Sequence, residues 1–113
     1  IYVEEKSIEV LSSFVTSARH LTPNGDGVND LLHLSYTLLS IDEGMLHIEV
    51  LNLLGESVRS VEKEPQRKGI YTRTWDGRDD RGVLVSPGVY LIKASVETNK
   101  GNFTKILPVA LAY

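Results

Sequence analysis

The sequence predicts an all-β domain, a seven-stranded antiparallel sandwich. Apolar side chains recur at every second residue in several short runs, which is the period of a half-buried strand. Clusters of Gly, Pro, Asn and Asp separate these runs at short intervals, and no helical periodicity lies between them. The chain has 113 residues, of which 42% are hydrophobic and 24% charged. This composition suits one globular domain with its own core.

The strands are assigned in chain order from this alternation. The most regular covers residues 32–38, where Leu32, Leu34, Tyr36 and Leu38 share one face. Seven short strands with such turn spacing are typical of an immunoglobulin/fibronectin III-like sandwich, and a small closed barrel is the competing shape. The first predicted strand lies within residues 7–18. The other six are residues 32–38, 46–50, 57–61, 70–75, 89–96 and 103–109.

Three local features refine this assignment. Tyr71, Arg73 and Trp75 are expected on one face of their strand, because they alternate with threonines. Pro108 suits an edge strand, where a missing backbone N–H is tolerated. Residues 62–68 read E-K-E-P-Q-R-K and mix both signs of charge, so we expect them to form a solvated loop.

The composition argues against several classes of function. Twelve Lys and Arg against fifteen Asp and Glu give a net charge of −3, so the sequence predicts no basic surface for nucleic acid. No run approaches the ~18 apolar residues of a membrane span. The chain has no cysteine, which excludes disulfides and cysteine nucleophiles. His20, His33 and His47 lack zinc-site spacing, and no serine has a nucleophile-elbow context, so we expect no enzyme.

The loop at residues 21–30 has the sequence L-T-P-N-G-D-G-V-N-D, which crowds oxygen-bearing side chains and glycines together. Asn24, Asp26 and Asp30 occupy relative positions one, three and seven, which point inward together in a tightly curled loop. Calcium takes about six to eight oxygen ligands, so these side chains and the backbone carbonyl of Val28 are candidate calcium ligands. The alternative is a turn closed by Asx hydrogen bonds.

A second polar connection, residues 75–88, reads W-D-G-R-D-D-R-G-V-L-V-S-P-G. Asp76 is its candidate ligand for the same ion, and Asp79 is a weaker one. In the structural alternative, Trp75 closes the end of the core and the aspartates accept hydrogen bonds from backbone N–H groups.

Topology brings the two loops together. Alternate connections of an antiparallel sandwich fall at the same end, so both loops and the turn at residues 54–56 are expected at one pole. Carboxylates crowded at that pole repel one another unless a positive charge compensates them. The sequence offers calcium, Arg78 and Arg81 for this purpose.

Four motifs resemble the immunoglobulin-like domain that is named after the bacterial flagellar hook-capping protein. They are T-P-N-G-D-G-V-N-D at residues 22–30, L-N-L-L-G-E-S-V-R at 51–59, W-D-G-R-D-D-R-G at 75–82 and V-S-P-G-V-Y-L-I at 85–92. The resemblance covers nearly the whole chain, from Ser7 to Ala110. Related sorting modules of gliding bacteria share the first motif. The sequence departs from the family pattern at Arg73, where an apolar residue is usual, and at Leu51, where Tyr is frequent.

This resemblance implies a noncatalytic, extracellular or cell-surface module that is often the last domain of a long protein. It also supports a cation at Asn24, Asp26 and Asp30. We therefore expect residues 1–6 to be a lead-in from a preceding domain, and residues 7–113 to be the C-terminal module of a larger protein. The expected partners are upstream domains of the same chain and secretion or cell-surface machinery, and the expected state is a monomer.

Two other functions are open at the level of the sequence. A carbohydrate-binding module stacks sugars on exposed aromatic rings, whereas the alternation places Tyr36, Tyr71, Trp75 and Tyr90 inward. A role in flagellar hook-cap assembly is the second alternative. An intramolecular Lys–Asn isopeptide bond is also open, but the sequence does not select its partners.

Overall fold

The computed structural model describes residues 10–23, 25, 30–39, 43–99 and 101–112, which form eight β-strands. The predicted lead-in, residues 1–6, lies outside these ranges. No helix in the described ranges is long and apolar enough to cross a membrane. The strands are β1 (Leu11–Thr16), β2 (His20–Leu21), β3 (Leu32–Leu38), β4 (Gly44–Leu51), β5 (Ser57–Gln66), β6 (Gly69–Trp75), β7 (Gly88–Thr98) and β8 (Gly101–Leu111).

The strands form two sheets, and the predicted immunoglobulin/fibronectin III-like sandwich is confirmed. One sheet has the order β1-β3-β6, and the other has the order β2-β8-β7-β4-β5. The pairings within these sheets are antiparallel except that of β2 with β8, which is parallel. The described residues form eight strands rather than the predicted seven, because the N-terminal part of the chain contributes one strand to each sheet. β1 pairs with β3, and two-residue β2 then pairs with β8 in the other sheet.

The core lies where the alternation predicts it. The inward side chains of β3 are at most 1% exposed, and Trp75 at the end of β6 lies opposite Leu32 in the register. The facing sheet presents apolar residues with the same period of two, so burial from water drives the two sheets together. The core residues of β4 and β7 are Leu46, Ile48, Val50, Tyr90, Ile92, Ala94 and Val96.

The prediction of a solvated loop at residues 62–68 is wrong for its first five residues, 62–66, which are part of a strand. β5 continues to Gln66 and pairs with β4 along its length, with Gln66 opposite Gly44. The alternating polar side chains of this segment face β6, where they find charged and polar partners. Pro65 is tolerated because β5 is an edge strand.

A group of polar side chains joins β5 to the other sheet, and we call it the flank network. Tyr36 Oη donates to Gln66 Oε1 at 2.8 Å, and Gln66 Nε2 donates to Glu64 Oε2 at 3.1 Å. Arg73 Nε donates to Glu62 Oε1 at 2.8 Å, and Arg73 Nη2 lies 3.4 Å from Glu64 Oε2. Because β5 and β6 are edge strands of different sheets, these bonds close one flank of the sandwich.

The structure explains the departure from the family pattern at Arg73. The guanidinium carbon lies 5.8 Å from the ring centroid of Tyr71, and the Arg73 side chain is 28% exposed. The arginine thus runs along an aromatic face at the rim of the core while its charged head reaches the carboxylates of β5. Tyr71 stacks in turn on Tyr36, with ring centroids 5.3 Å apart.

Tyr90 makes a contact that is typical of this class of sandwich. It lies near the start of β7, and its hydroxyl donates to the backbone oxygen of Ser86 at 2.6 Å. A tyrosine placed in this way, bonded to the backbone a few residues upstream, is the tyrosine corner of immunoglobulin-like domains. It fixes the segment that enters β7.

Candidate functional site

One end of the sandwich, which we call the loop pole, gathers the polar connections that the sequence singles out. It comprises the described residues of 21–31, the connection 76–87 and the turn 52–56. A Cβ atom added at Gly77 would lie 3.2 Å from Pro23 and 3.4 Å from Leu21 and Leu111. The two loops are therefore in contact, as the topology predicts, and Gly77 leaves room for that contact.

The connection 76–87 is held by its own side chains. Trp75 Nε1 donates to the Arg78 oxygen at 2.9 Å, and Asp76 Oδ1 accepts from the Arg78 N–H at 3.1 Å. Asp79 Oδ1 accepts from the N–H groups of Arg81 and Val83, at 2.9 and 3.0 Å. These bonds match the structural interpretation of the loop, in which aspartates satisfy backbone donors.

The same bonds set the charge state of Asp79. The hydrogen bond from the Val83 N–H, followed by that from Arg81, holds the pKa of the Asp79 carboxyl below its usual range. The carboxylate form is therefore the one that the loop stabilises at neutral pH.

The next aspartate fastens the connection to the other sheet. Ser60 N–H donates to Asp80 Oδ1 at 3.0 Å, and Asp80 N–H donates to the Val58 oxygen at 3.1 Å. Arg59 Nη1 donates to the Asp79 oxygen at 3.0 Å. The connection 76–87 is thus docked on the first half of β5. Arg59 was not among the predicted compensating arginines, since it is distant from the aspartates in sequence.

Three of the five predicted metal ligands, Asn24, Asp26 and Val28, lie outside the described residues. The other two, Asp30 and Asp76, lie beyond the same end of the β3–β6 pair: Asp30 precedes β3 and Asp76 follows β6. The register of β3 with β6 ends with Leu32 opposite Trp75; Asp76 is the next residue after Trp75, and Asp30 stands two residues before Leu32. Both residues therefore lie on segments that leave the same end of the β3–β6 pair, at the loop pole.

Both carboxylates already have contacts. Asp30 Oδ1 accepts from the Gly25 N–H at 3.0 Å, which closes part of the first loop. Asp76 Oδ2 lies 3.9 Å from Arg78 Nε, so the predicted compensation by Arg78 is present. Among the residues that the structure describes, no three His, Cys, Asp or Glu side chains form a group that could hold a metal ion.

The turn between β4 and β5 is another rigid part of the loop pole. Asn52 Oδ1 accepts from the N–H groups of Leu54 and Glu56, at 3.0 and 2.9 Å, and Gly55 has a φ of +86°. This turn holds Leu54 84% exposed and Leu53 66% exposed. The sequence motif L-N-L-L-G-E-S-V-R marks the turn, but alternation alone gives no indication of its hydrogen bonds.

Of the four aromatic rings that the alternation places inward, three are buried and offer little surface for sugar stacking, whereas Tyr71 is half-buried. Tyr36 and Trp75 are each 1% exposed and Tyr90 is 8% exposed. Trp75 and Tyr90 meet edge to face with ring centroids 6.0 Å apart, so they fill the core beneath the loop pole.

Two packed sheets, a tyrosine corner and an N-terminal strand that changes sheets define an immunoglobulin-like β-sandwich module. A sequence model of the FlgD Ig-like domain matches residues 33–100. The chain therefore belongs to the FlgD Ig-like domain family. A sequence search of curated proteins gave no match.

Solved structures share this fold at low sequence identity. FlgD from Pseudomonas aeruginosa is 23% identical with a TM-score of 0.56, covering 70% of this chain and 61% of its own. Dimeric latent PorU from Porphyromonas gingivalis is 15% identical with a TM-score of 0.60, and the match covers 88% of this chain but 9% of PorU. PorZ, described as an essential surface component of the type-IX secretion system of that bacterium, is 16% identical with a TM-score of 0.55. That match covers 96% of this chain and 13% of PorZ.

Proposed function

We propose that this domain is a noncatalytic structural module of a secreted or surface-attached bacterial protein, in which it serves export, anchoring or presentation of upstream domains. Membership of the FlgD Ig-like family supports this role. So does the use of the polar loop side chains, because Asp76, Asp79 and Asp80 accept hydrogen bonds from backbone donors. The similarity in fold to PorZ, described as a surface component, supports the location.

We further propose that calcium stabilises the loop pole. The proposed ligands are the side chains of Asn24, Asp26, Asp30 and Asp76 and the backbone carbonyl of Val28. The observation that carries this proposal is the common position of Asp30 and Asp76 beyond the Leu32–Trp75 end of the β3–β6 pair. Carboxylate and carbonyl oxygens are the ligands that calcium prefers.

The ion would connect the two loops. One of its ligands comes from the connection 76–87, and the others come from the loop that follows β2. Without calcium, Arg78 balances the charge of Asp76 through the contact at 3.9 Å. With calcium, the Asp76 carboxylate turns to the metal, and the segment 21–30 is fastened to the core.

Calorimetric titration of the domain with calcium tests this proposal. The wild type is expected to bind one ion with a dissociation constant of about 10⁻⁴ to 10⁻³ M, as extracellular calcium modules do. Asp26→Asn should weaken binding strongly. Asp80→Asn is the matched control, because Asp80 bonds to Ser60 and is not a proposed ligand. Absence of heat in the wild type, or equal affinity in both variants, would reject the metal site.

The structural role has a separate test in the parent bacterium. The protein that carries this domain is expressed with the domain intact or with residues 7–113 removed, and its surface and culture fractions are compared. The proposal expects the shortened protein to remain inside the cell or to leave the surface. Normal placement without the domain would reject the export and anchoring role while leaving the calcium proposal unaffected.

A further inference from the structure

We propose that the N-terminal segment 11–21, which we call the terminal clamp, makes the domain resistant to stretching by its two ends. This extends the proposed structural role to a load-bearing one. The test below measures force on the isolated domain, so it can fail while export and calcium binding hold, and the reverse is also true.

The two ends of the described chain lie at opposite poles of the sandwich. Leu11 pairs with Leu38 at the pole opposite the loops, and Thr16 pairs with Leu34 nearer the loop pole. β8 runs the same way, since its last residue, Leu111, lies opposite Gly88 at the start of β7. The described chain therefore enters the sandwich at one pole and leaves it at the other.

The N-terminal strand β2 pairs in parallel with the C-terminal strand β8. Ala110 N–H donates to the Arg19 oxygen at 2.9 Å, and Ala112 N–H donates to the Leu21 oxygen at 3.0 Å. When Val10 and Ala112 are pulled apart, β2 and β8 slide in opposite directions along their own axes. The interstrand bonds lie across the pull and share the load, so they must break together.

The same pull also loads the other sheet. β1 pairs with β3 at five register positions, and the Ser17 N–H donates to the His33 oxygen at 2.9 Å. A force on Val10 drags β1 along β3 in shear as well. The terminal clamp thus grips both sheets, because its two strands belong to different ones.

Side chains anchor the clamp in the core. Leu11 and Phe14 are 3% and 5% exposed, and Leu21 is completely buried. Leu21 lies next to Gly77 in the contact between the two loops. Sliding the clamp out would expose these apolar side chains to water before any new burial compensates.

A different direction of pull provides the control geometry. Leu54 in the β4–β5 turn and Ala112 both lie at the loop pole, on the five-stranded sheet. Force between them acts across the strands, so the ladder bonds open one after another from one end. The chain has no cysteine, and Leu54 is 84% exposed, so Leu54→Cys gives a unique attachment point.

Single-molecule force spectroscopy compares these two geometries on the same domain. The proposal expects a clearly higher unfolding force for the pull between the two termini than for the pull between position 54 and the C-terminus. Equal forces, or a lower force for the terminal pull, would overturn it. This comparison requires no substitution within the clamp.

Two single substitutions by proline, one in the clamp pairing and one outside it, test the clamp itself. Ala110→Pro removes the N–H that bonds to Arg19, so the unfolding rate under terminal pulling should rise about fivefold, as expected for one lost hydrogen bond. Thr104→Pro is the matched control on the same strand, because its N–H faces the same side of β8 as that of Ala110. Among described residues, β2 pairs with β8 only at Ala110 and Leu111. Equal rates for the two variants would contradict the clamp.

Discussion

The Arg73 guanidinium on β6 donates to the Glu62 carboxylate on β5 at 2.8 Å, and so an ion pair joins the edges of the two sheets. The Arg73 side chain is 28% exposed and that of Glu62 is 18% exposed, so the pair is partly shielded from water. The bond to Glu62 raises the pKa of Arg73, which keeps the guanidinium charged. The flank network as a whole joins the two sheets along the β5–β6 flank. At the opposite flank, the two sheets are joined by the N-terminal segment, which pairs with β3 through β1 and with β8 through β2.

Arg73→Met is expected to lower the free energy of unfolding by about 1–2 kcal/mol, because Glu62 is left half-buried without its partner. Lys63→Met, at an exposed position of β5 next to Glu62, is the control, and it should have little effect on the free energy of unfolding. Urea unfolding of both variants measures the difference. Equal stability of the two variants would show that the ion pair contributes nothing.

Tyr36→Phe should cost about 1–3 kcal/mol, because it leaves the buried Gln66 amide oxygen without its donor. Tyr71→Phe removes a hydroxyl from an exposed bond to the Arg67 oxygen and should cost much less. The ordered comparison of the two variants by chemical denaturation tests the prediction. A larger loss for Tyr71→Phe would contradict it.

The Tyr36 hydroxyl also predicts an alkaline limit of stability. Burial raises the pKa of Tyr36 to about 12 from its ordinary value of 10.0. Since the unfolded chain loses this proton first, the stability that Tyr36 contributes is complete below pH 10.0 and is lost as the pH rises toward 12. Unfolding measured across this range should depend less on pH in Tyr36→Phe than in the wild type.

Gly77→Ala should lower the free energy of unfolding more than Gly82→Ala does, although both glycines have a φ of +83°. Both substitutions pay about 1 kcal/mol for placing a Cβ atom in the left-handed region. At Gly82 the new Cβ meets open space, whereas at Gly77 it crowds Pro23 at 3.2 Å. Pro23 must shift to make room there, and overpacking of this kind adds about 1 kcal/mol. Equal melting temperatures would show that the loops give way without cost.

Protonation of Asp79 should account for part of the loss of stability of the domain in acid. Its lowered pKa means that its stabilising contribution is complete above the ordinary Asp value of 3.8 and is lost as the pH falls below it. Asp79→Asn keeps an acceptor for the Arg81 and Val83 N–H groups but cannot titrate, so its stability should fall less in acid. Asp79→Ala, which loses the acceptor, should have a lower free energy of unfolding than the wild type at neutral pH. An acid profile of Asp79→Asn identical to that of the wild type would contradict this role.

The sequence predicts the sandwich well because the side chains that become buried recur at every second residue of the strands. Leu34, Tyr36 and Ile48 alternate with polar residues, and the structure buries all of them. The contact between the two loops at Gly77 and Pro23 is also predictable, but from topology, since the antiparallel order of the strands determines which loops lie at the same pole.

What the sequence missed depends on partners that are distant along the chain. Glu62 and Glu64 look like loop residues until Arg73 is placed opposite them, and only the fold brings β6 there. The switch of sheets at β2 rests on two residues, too few for any period to reveal. Arg59, which supports the Asp79–Asp80 segment, is likewise found only through the docking of that connection on β5.

Thermal unfolding in calcium and in excess chelator tests the central claim most directly. A ligand that binds only the folded state adds about 2.7 kcal/mol at ~100 times its dissociation constant. For a domain of this size, the midpoint should therefore rise by about 10 °C at ~10–100 mM calcium, which is ~100 times the expected dissociation constant, and Asp76→Asn should reduce that rise. An unchanged midpoint in the wild type would contradict the calcium-stabilised loop pole and leave Asp30 and Asp76 as turn-forming residues.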